Sequence, residues 1–598
     1  MSEPAHVDVC ALLARVEALR TTVAEAAPAG GEALDPTWRA SADNLVRYLA
    51  LRHQDLRELQ RDLSVLGISS LGRSEADVTA TLSRVHDALS ALVASGVRTV
   101  AIPDGHAVLE AHTDALFGPA PTGRRVRILL TASTDMAHDA ARVRALLAAG
   151  TDVVRINCAH DGPEVWRAIA RHVREAAAEL GRPCRILVDL GGPKLRTGPL
   201  APGKGVVEWH AHRDEVGRIL RPARVWLGRA AAAPAGVDAV VPSVDLRHHL
   251  LHPGDGLRLV DVRGRRRTLR VESVSPEGVL LLADRAAWVA AGALRRVRNG
   301  RLGPEIASVD ALPPRVVPLR LRVGDHLRMT GENELGGIDA QGPHIPITLP
   351  EALTALRVGD PVLFDDGSIA SEVVDVGSAG VVVRITRAAP GGSALRSDKG
   401  VNLPSTPLPV SALTEHDLAC LDATVGVADM FGLSFVRTPE DVGVLRAALA
   451  ERGRSDLGIV LKIETQEGFA ALPKILVEAM KGERVGVMIA RGDLAVECGF
   501  ERLAEVQEEI LWVCEAARVP VVWATQVLDT LARRGIATRA EVTDAAAGQR
   551  AECVMLNKGP HAELAVRMLD DILRRMATHQ EKKTSMLRQL HSLVAPGA

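Results

Sequence analysis

The feature that leaves the fewest folds open is an alternation. Eight short runs rich in Val, Ile and Leu lie at 126–130, 153–156, 185–188, 430–436, 458–461, 485–490, 519–523 and 553–556. Most are followed by a segment with the 3.6-residue apolar spacing of a helix. Strands buried on both faces read as continuous apolar runs, and a parallel strand reaches its neighbour only through a long crossover, usually a helix. Eight such units predict an α/β protein closed into a (β/α)8 TIM barrel.

The alternation breaks from about 199 to 397, a stretch rich in Val, Leu, Arg, Gly and Asp with little helical periodicity. It carries an imperfect repeat, His252-Pro253-Gly254-Asp255, Arg322-Val323-Gly324-Asp325 and Arg357-Val358-Gly359-Asp360, each leading into an alternating strand pattern. Gly-Asp before a strand is turn chemistry, so an inserted, β-barrel-like domain is expected after the third barrel strand, enlarged or duplicated. Residues 1–122 show helical spacing at 7–24, 44–66 and 76–94, with Ser74, Glu75 and Asp77 as capping candidates and a Gly/Ala/Pro stretch near 27–36 between the first two helices. The expected organisation is an N-terminal helical extension at 1–122, the first part of the barrel at 123–198, the β-rich insert at 199–397, and the second part of the barrel with a terminal helix at 398–598.

Composition excludes several classes. A net charge of −2 over 598 residues argues against a nucleic-acid or membrane surface, and aromatic residues at 2% leave no base-stacking platform. The 7 cysteines are scattered, with no Cys-x-x-Cys pair, which reads as free thiols in a reducing compartment. No secretory leader or apolar run long enough to span a bilayer is evident, so a cytoplasmic location is expected.

Chemistry gathers at strand ends. Leu461-Lys462-Ile463-Glu464 and Ala490-Arg491-Gly492-Asp493 leave two runs about one strand-helix unit apart. Lys462 and Glu464 alternate with Leu461 and Ile463, so both lie on one side of a strand. One ammonium beside two carboxylates suits a divalent cation and phosphoryl handling, although a structural ion pair explains Lys462 and Glu464 alone. Arg155 lies near the end of the second run, and Asn157 and His160 follow it; Arg grips phosphate bidentately, whereas a loop His is usually solvated. Asp189-Leu190-Gly191-Gly192-Pro193-Lys194-Leu195-Arg196 reads as an anion-handling loop or a charged linker. Thr525 ends another run, where a Thr is often only a β-former or a helix cap, and Lys399 lies in the return from the insert. No P-loop or Rossmann glycine pattern is present.

The ordered set Lys399-Gly400-Val401-Asn402-Leu403-Pro404, Lys462-Ile463-Glu464, Ala490-Arg491-Gly492-Asp493-Leu494, Ala524-Thr525-Gln526 and Thr538-Arg539-Ala540-Glu541 resembles the pyruvate kinase family over roughly 125–580. The resemblance implies transfer of a phosphoryl group from phosphoenolpyruvate to ADP, giving pyruvate and ATP, with Mg²⁺ (or Mn²⁺) as cofactor. It implies Lys462 as the lysine on the transferring group, Glu464 and Asp493 as metal ligands, Arg155 on the phosphate, and Thr525 where the methyl group forms. Asn157, His160, Arg196, Gly492 and Lys399 are implied in substrate or nucleotide binding. The insert would be a lid, with Asp365 and Asp366 on its inner face. A homo-oligomer is a further expectation.

The chain departs from the family pattern. Asn157-Cys158-Ala159-His160 stands for Asn-Phe-Ser-His, and Asn557-Lys558-Gly559-Pro560 for Ser-Gly-Glu-Thr. The regulatory domain that often follows the barrel is expected to be absent. Of the residues matching the family's K⁺ site, Asn157 and Asp189 remain, while Ala159 and Leu190 replace two oxygen ligands and Lys194 stands where a Glu would. This pattern implies independence of K⁺, with the Lys194 ammonium as substitute. Lyase or aldol chemistry on a Mg²⁺-bound enolate, and a non-catalytic metabolite-binding barrel, are the alternatives; the retained Lys462 favours phosphoryl transfer.

Overall fold

The computed structural model describes residues 5–26, 39–72, 74, 77–102, 105–243, 245–298, 301–309, 312, 314–331, 334–408, 410–581 and 584–585. The Gly/Ala/Pro stretch near 27–36 and Glu75 fall outside them. Contacts divide the chain into two units. One comprises Met1–Leu195, Asp360–Gly367 and Asn402–Ala598, the other Arg196–Gly359 and Ser368–Val401.

The first unit contains the closed barrel. Its parallel strands, in chain order, are Arg127–Thr131, Val153–Asn157, Arg185–Asp189, Met430–Leu433, Gly458–Ile463, Val485–Ala490, Val521–Ala524 and Cys553–Leu556. Each pairs with the next, and the last pairs with the first. All eight fall where the apolar runs predict them, with ends shifted by three residues at most.

Strand alternation sorts the side chains. Leu129, Val153, Leu187, Met430, Val460, Met488, Val522 and Cys553 form one inner cluster, while Ile128, Val154, Ile186, Phe431, Leu461 and Val487 pack in the outer cluster with the helices. Two residues beyond each inner position the next layer begins. That step carries Leu129 to Thr131, Val153 to Arg155, Leu187 to Asp189, Met430 to Gly432 and Val460 to Lys462. The polar layer therefore sits at the carboxyl ends of the strands, the face on which barrel enzymes place their chemistry. Leu116 and Phe117, at the end of helix Gly105–Phe117, join the inner cluster from below.

Before that helix, Val9–Ala24, Arg39–Arg52, Arg57–Val65 and Val78–Ala94 are helical. They share a core of Val9, Leu12, Val16, Leu51, Leu63, Val78, Leu82 and Leu89. The structure departs from the expected helix at 44–66, which breaks after Arg52; Asp55 accepts the backbone N–H of Arg57 and opens a second helix. It also adds an antiparallel strand pair, Ala5–Asp8 with Thr99–Ile102, too short to register as a pattern. Asp77 caps the last helix by accepting the N–H of Ala80. No helix among the described residues is long and apolar enough to cross a membrane.

The second unit is almost wholly β. Two modules within it share one arrangement. In the first, the sheet runs Ala239–Pro242, Ala223–Gly228, Gly278–Ala283, Arg266–Ser275, Gly256–Val260, Gly292–Arg298 and Arg301–Val309. In the second, Gly342–Pro346, His326–Thr330, Gly380–Arg387 and Ile369–Gly377 lie side by side in the same order as the first four. The leading pair is parallel in both, with Gly228 opposite Pro242 and Thr330 opposite Pro346. The long strand bulges between Val271 and Ser273 in one and between Val373 and Asp375 in the other. Gly254 donates to the Val271 carbonyl and Gly359 to that of Val373, each at 2.9 Å. Both glycines sit at φ values of +92° and +98°, which disfavour any side chain. Two of the three Gly-Asp copies in the sequence thus mark equivalent turns of a duplicated β-module.

Candidate active site

Arg155, Asp189, Lys462 and Glu464 meet in the polar layer. Asp189 accepts from Arg155 Nε at 2.8 Å, and its Oδ2 lies 3.4 Å from Lys462 Nζ. Lys462 Nζ is also 3.3 Å from Glu464 Oε1 and donates to Ser434 Oγ at 2.7 Å. Glu464 Oε2 accepts the backbone N–H of Phe435 at 2.6 Å, and Arg155 reaches Thr131 Oγ1 at 3.1 Å. Burial alone would depress the Lys462 ammonium, but Asp189 and Glu464 outweigh it and hold its pKa above the usual lysine value. Burial would likewise raise Asp189, but Arg155 and Lys462 keep its carboxylate below the ordinary range. Glu464 moves the other way: burial raises it, the Asp493 carboxylate adds to that, and Lys462 only partly compensates. Two carboxylates that resist joint ionisation are stabilised by a cation between them.

Asp493 opens helix Arg491–Cys498 and takes an ion pair from Lys194 at 3.3 Å. Lys194 Nζ also stands 5.9 Å from the centre of the Phe435 ring. Lys194, Asp366, Gly492, Asp493 and Thr525 line one cavity of about 510 Å³. Asp365 and Asp366, expected on the insert, belong to the barrel unit instead. Both have left-handed backbone, φ +52°, in the turn after Pro361–Phe364.

Thr525 also has left-handed backbone, φ +72°, an outlier for a β-branched residue. Its carbonyl and that of Ala524 accept from the Arg491 guanidinium at 2.5 and 2.6 Å. Asp544 and the Trp523 ring hold that guanidinium in turn. A Cβ on Gly492 would lie 3.2 Å from Thr525 Cγ2, so the glycine keeps the approach open.

Asn157 turns back onto its own loop, its Oδ1 accepting the Ala159 N–H at 3.0 Å, and His160 is exposed. Arg196 and Lys399 belong to the β-rich unit, where Arg196 pairs with Asp398 at 2.8 Å and the Lys399 N–H donates to Thr197 Oγ1. Sequence reasoning missed Ser434 and the Phe435 amide, whose signal was a polar residue inside the run 430–436. It also missed Glu497, which lies one helical turn after Asp493. Glu497 accepts from Asn402 Nδ2 at 3.0 Å, and burial with Asp493 nearby pushes its pKa up to about 7.

Fold and site together define a (β/α)8 barrel with a lysine–carboxylate–arginine network at its carboxyl mouth. The family pattern described as pyruvate kinase, barrel domain, matches residues 123–216 and 297–563, more than half of the chain, and the chain belongs to that family. It is 34% identical over 267 residues to the pyruvate kinase of Bacillus licheniformis, covering 42% of this chain and 43% of the relative. It is 32% identical over 247 residues to that of Clostridium acetobutylicum, covering 41% and 49%. To the Homo sapiens protein Pyruvate kinase PKLR it is 35% identical over 237 residues, covering 38% and 39%. The chain thus spans about half the length, or less, of these relatives. A crystal structure of a pyruvate kinase from Cryptosporidium parvum superimposes with a TM-score of 0.52 at 21% identity, covering 77% of this chain and 72% of the other, a likeness of fold.

Proposed function

We propose that the chain is a pyruvate kinase-like phosphotransferase that moves a phosphoryl group from phosphoenolpyruvate to ADP, giving pyruvate and ATP. The observation that carries this reading is the Lys462 ammonium, kept charged inside the barrel mouth between Asp189 and Glu464. A lysine there meets the charge that builds on phosphoryl oxygens in transfer. Arg155 adds a guanidinium fork fixed by Asp189 and Thr131. Thr525, in strained backbone at the cavity wall, would move a proton at the nascent methyl group of pyruvate.

Glu464 and Asp493 are suited to Mg²⁺ (or Mn²⁺): they are oxygen donors, and Glu464 is raised by burial with the Asp493 charge adding to it. Mg²⁺ is commonly held by one or two carboxylates with substrate oxygens and water completing its shell. When bound it would supply positive charge for the enolate and phosphoryl oxygens. Lys194, paired with Asp493, supplies the charge that relatives draw from K⁺, so K⁺ is not required. In this reading 1–122 is a packing extension, the insert at 199–397 is a lid that excludes water, and Arg196, Lys399, Asn157, His160 and Gly492 serve substrate or nucleotide binding. A cytoplasmic homo-oligomer without nucleic-acid or membrane partners is the corresponding setting.

The test is a lactate dehydrogenase-coupled assay with phosphoenolpyruvate, ADP and Mg²⁺. Turnover that needs all three supports the reading. Its absence in a folded protein that still binds Mg²⁺-pyruvate would favour a non-catalytic barrel.

A further inference from the structure

The first β-module is the additional copy, since the family pattern passes over 217–296 and resumes at 297. The second copy therefore serves as an internal control for what the first has changed. Two residues before the bulged position the second carries Glu372, which faces Arg384 across the sheet and pairs with it at 3.3 Å. The equivalent residue of the first copy is Arg270, opposite Leu282, with no carboxylate to answer it.

Arg270 is not alone. Arg258 stands directly opposite Arg295 in the register of neighbouring strands, and Gly256 opposite Arg270. These residues alternate with buried Leu257, Leu259, Leu269, Val271 and Leu294, so Arg258, Arg270 and Arg295 share the outward face of three adjacent strands. Among the described residues none of the three makes an ion pair or side-chain hydrogen bond. Glu305, in register with Arg295, does not close one. Three other arginines of the module are occupied, Arg263 and Arg267 by Asp261 and Arg296 by the Leu250 carbonyl. Residues 207–309 hold 17 Arg, no Lys and 11 Asp or Glu, against a net charge of −2 for the whole chain, so the positive charge is concentrated here.

Like charges directly across a sheet are unfavourable unless an anion lies between them. Guanidinium forks match phosphate oxygens in geometry. With strands about 4.8 Å apart and Arg270 two residues along from Arg258, the three backbone positions span about 12 Å, which long arginine side chains converging on a few linked phosphates can bridge. None of the outward residues on these strands is aromatic, so nothing there could stack a base. We propose that this face, Arg258, Arg270 and Arg295, binds a small ligand carrying two or three linked phosphates. The site shares no residue with the barrel mouth and does not depend on the proposed activity.

The experiment is calorimetric titration of the full chain with inorganic tripolyphosphate in EDTA, with thermal melts in parallel. The expected result is saturable binding that Arg258→Gln and Arg270→Gln each weaken by about tenfold or more. Arg229→Gln, exposed in the same module, and Lys462→Met should leave that binding in place. Arg258→Gln should also raise the melting temperature of the unliganded protein, because it removes the repulsion with Arg295. The proposal is overturned if tripolyphosphate does not bind, if its binding survives Arg258→Gln and Arg270→Gln together, if Lys462→Met abolishes it, or if single-stranded RNA binds and tripolyphosphate does not.

Discussion

A Cβ on Gly432 would lie 2.5 Å from the Oδ1 atom of Asp189. The missing side chain on one barrel strand is what gives the carboxylate on the next its room. Asp189 in turn anchors both Arg155 and Lys462. A glycine with no side chain thus sets the position of both cations.

Gly432→Ala follows directly. The added methyl group must push Asp189 aside, and overpacking of this kind costs about 1–3 kcal/mol. Urea unfolding should show that loss, and catalytic activity should fall with it as Arg155 and Lys462 lose their anchor. A variant with unchanged stability and turnover would show that Asp189 can move freely.

Lys462→Met should lower kcat on the order of 10³-fold or more, because the lost charge acts chiefly on the transition state. The fold should survive: Arg155 still pairs with Asp189, and Glu464, already raised, can take up a proton. Proton exchange at the methyl group of pyruvate should fall less than phosphoryl transfer. Comparison of the two rates, with circular dichroism as the check on folding, decides the matter; near-normal phosphoryl transfer would remove Lys462 from its assigned role.

Lys194 should make K⁺ unnecessary. Activity with Mg²⁺ alone is expected to stay the same when Na⁺ or tetramethylammonium replaces K⁺ at constant ionic strength. Lys194→Glu should impair it by placing a second carboxylate beside Asp493. Potassium should restore little, since Ala159 and Leu190 offer no side-chain oxygen. Strong activation of the natural protein by K⁺ would contradict this.

Glu497 should give the protein a pH-dependent stability. Its folded pKa is raised to about 7 from 4.5. Over that window the folded state holds a proton that the unfolded chain has released. Stability is therefore greatest below about 4.5 on this account and declines as pH rises through 7. Thermal melts in EDTA between pH 5 and 8 should show the decline, and Glu497→Gln should flatten it. A natural protein whose Glu497 contribution rises with pH would reverse the sign.

The sequence by itself determined the barrel and the polarity of its layers. Eight apolar runs with helical spacing between most of them leave little else to build, and the two-residue period of a strand puts Lys462 and Glu464 on one face before any contact is known. It also pointed to an enlarged or duplicated β-insert, because a Gly-Asp turn needs its glycine in left-handed backbone wherever it recurs. Only the tertiary structure could decide which charges meet. Lys194 and Asp493 are 299 residues apart in the chain, and Lys462 reaches Ser434 across 28. Barrel closure, not local pattern, brings such groups within 4 Å of each other. The helix break at Asp55, the short strand pair at Ala5–Asp8 and Thr99–Ile102, and the place of Asp366 beside the barrel cavity were illegible for the same reason. Each is fixed by a partner distant in sequence or by a turn too short to leave a period. The unpaired arginines of the first β-module show the converse: the residues are plain in the sequence, but whether a carboxylate answers them depends on strand register, which only the folded sheet supplies.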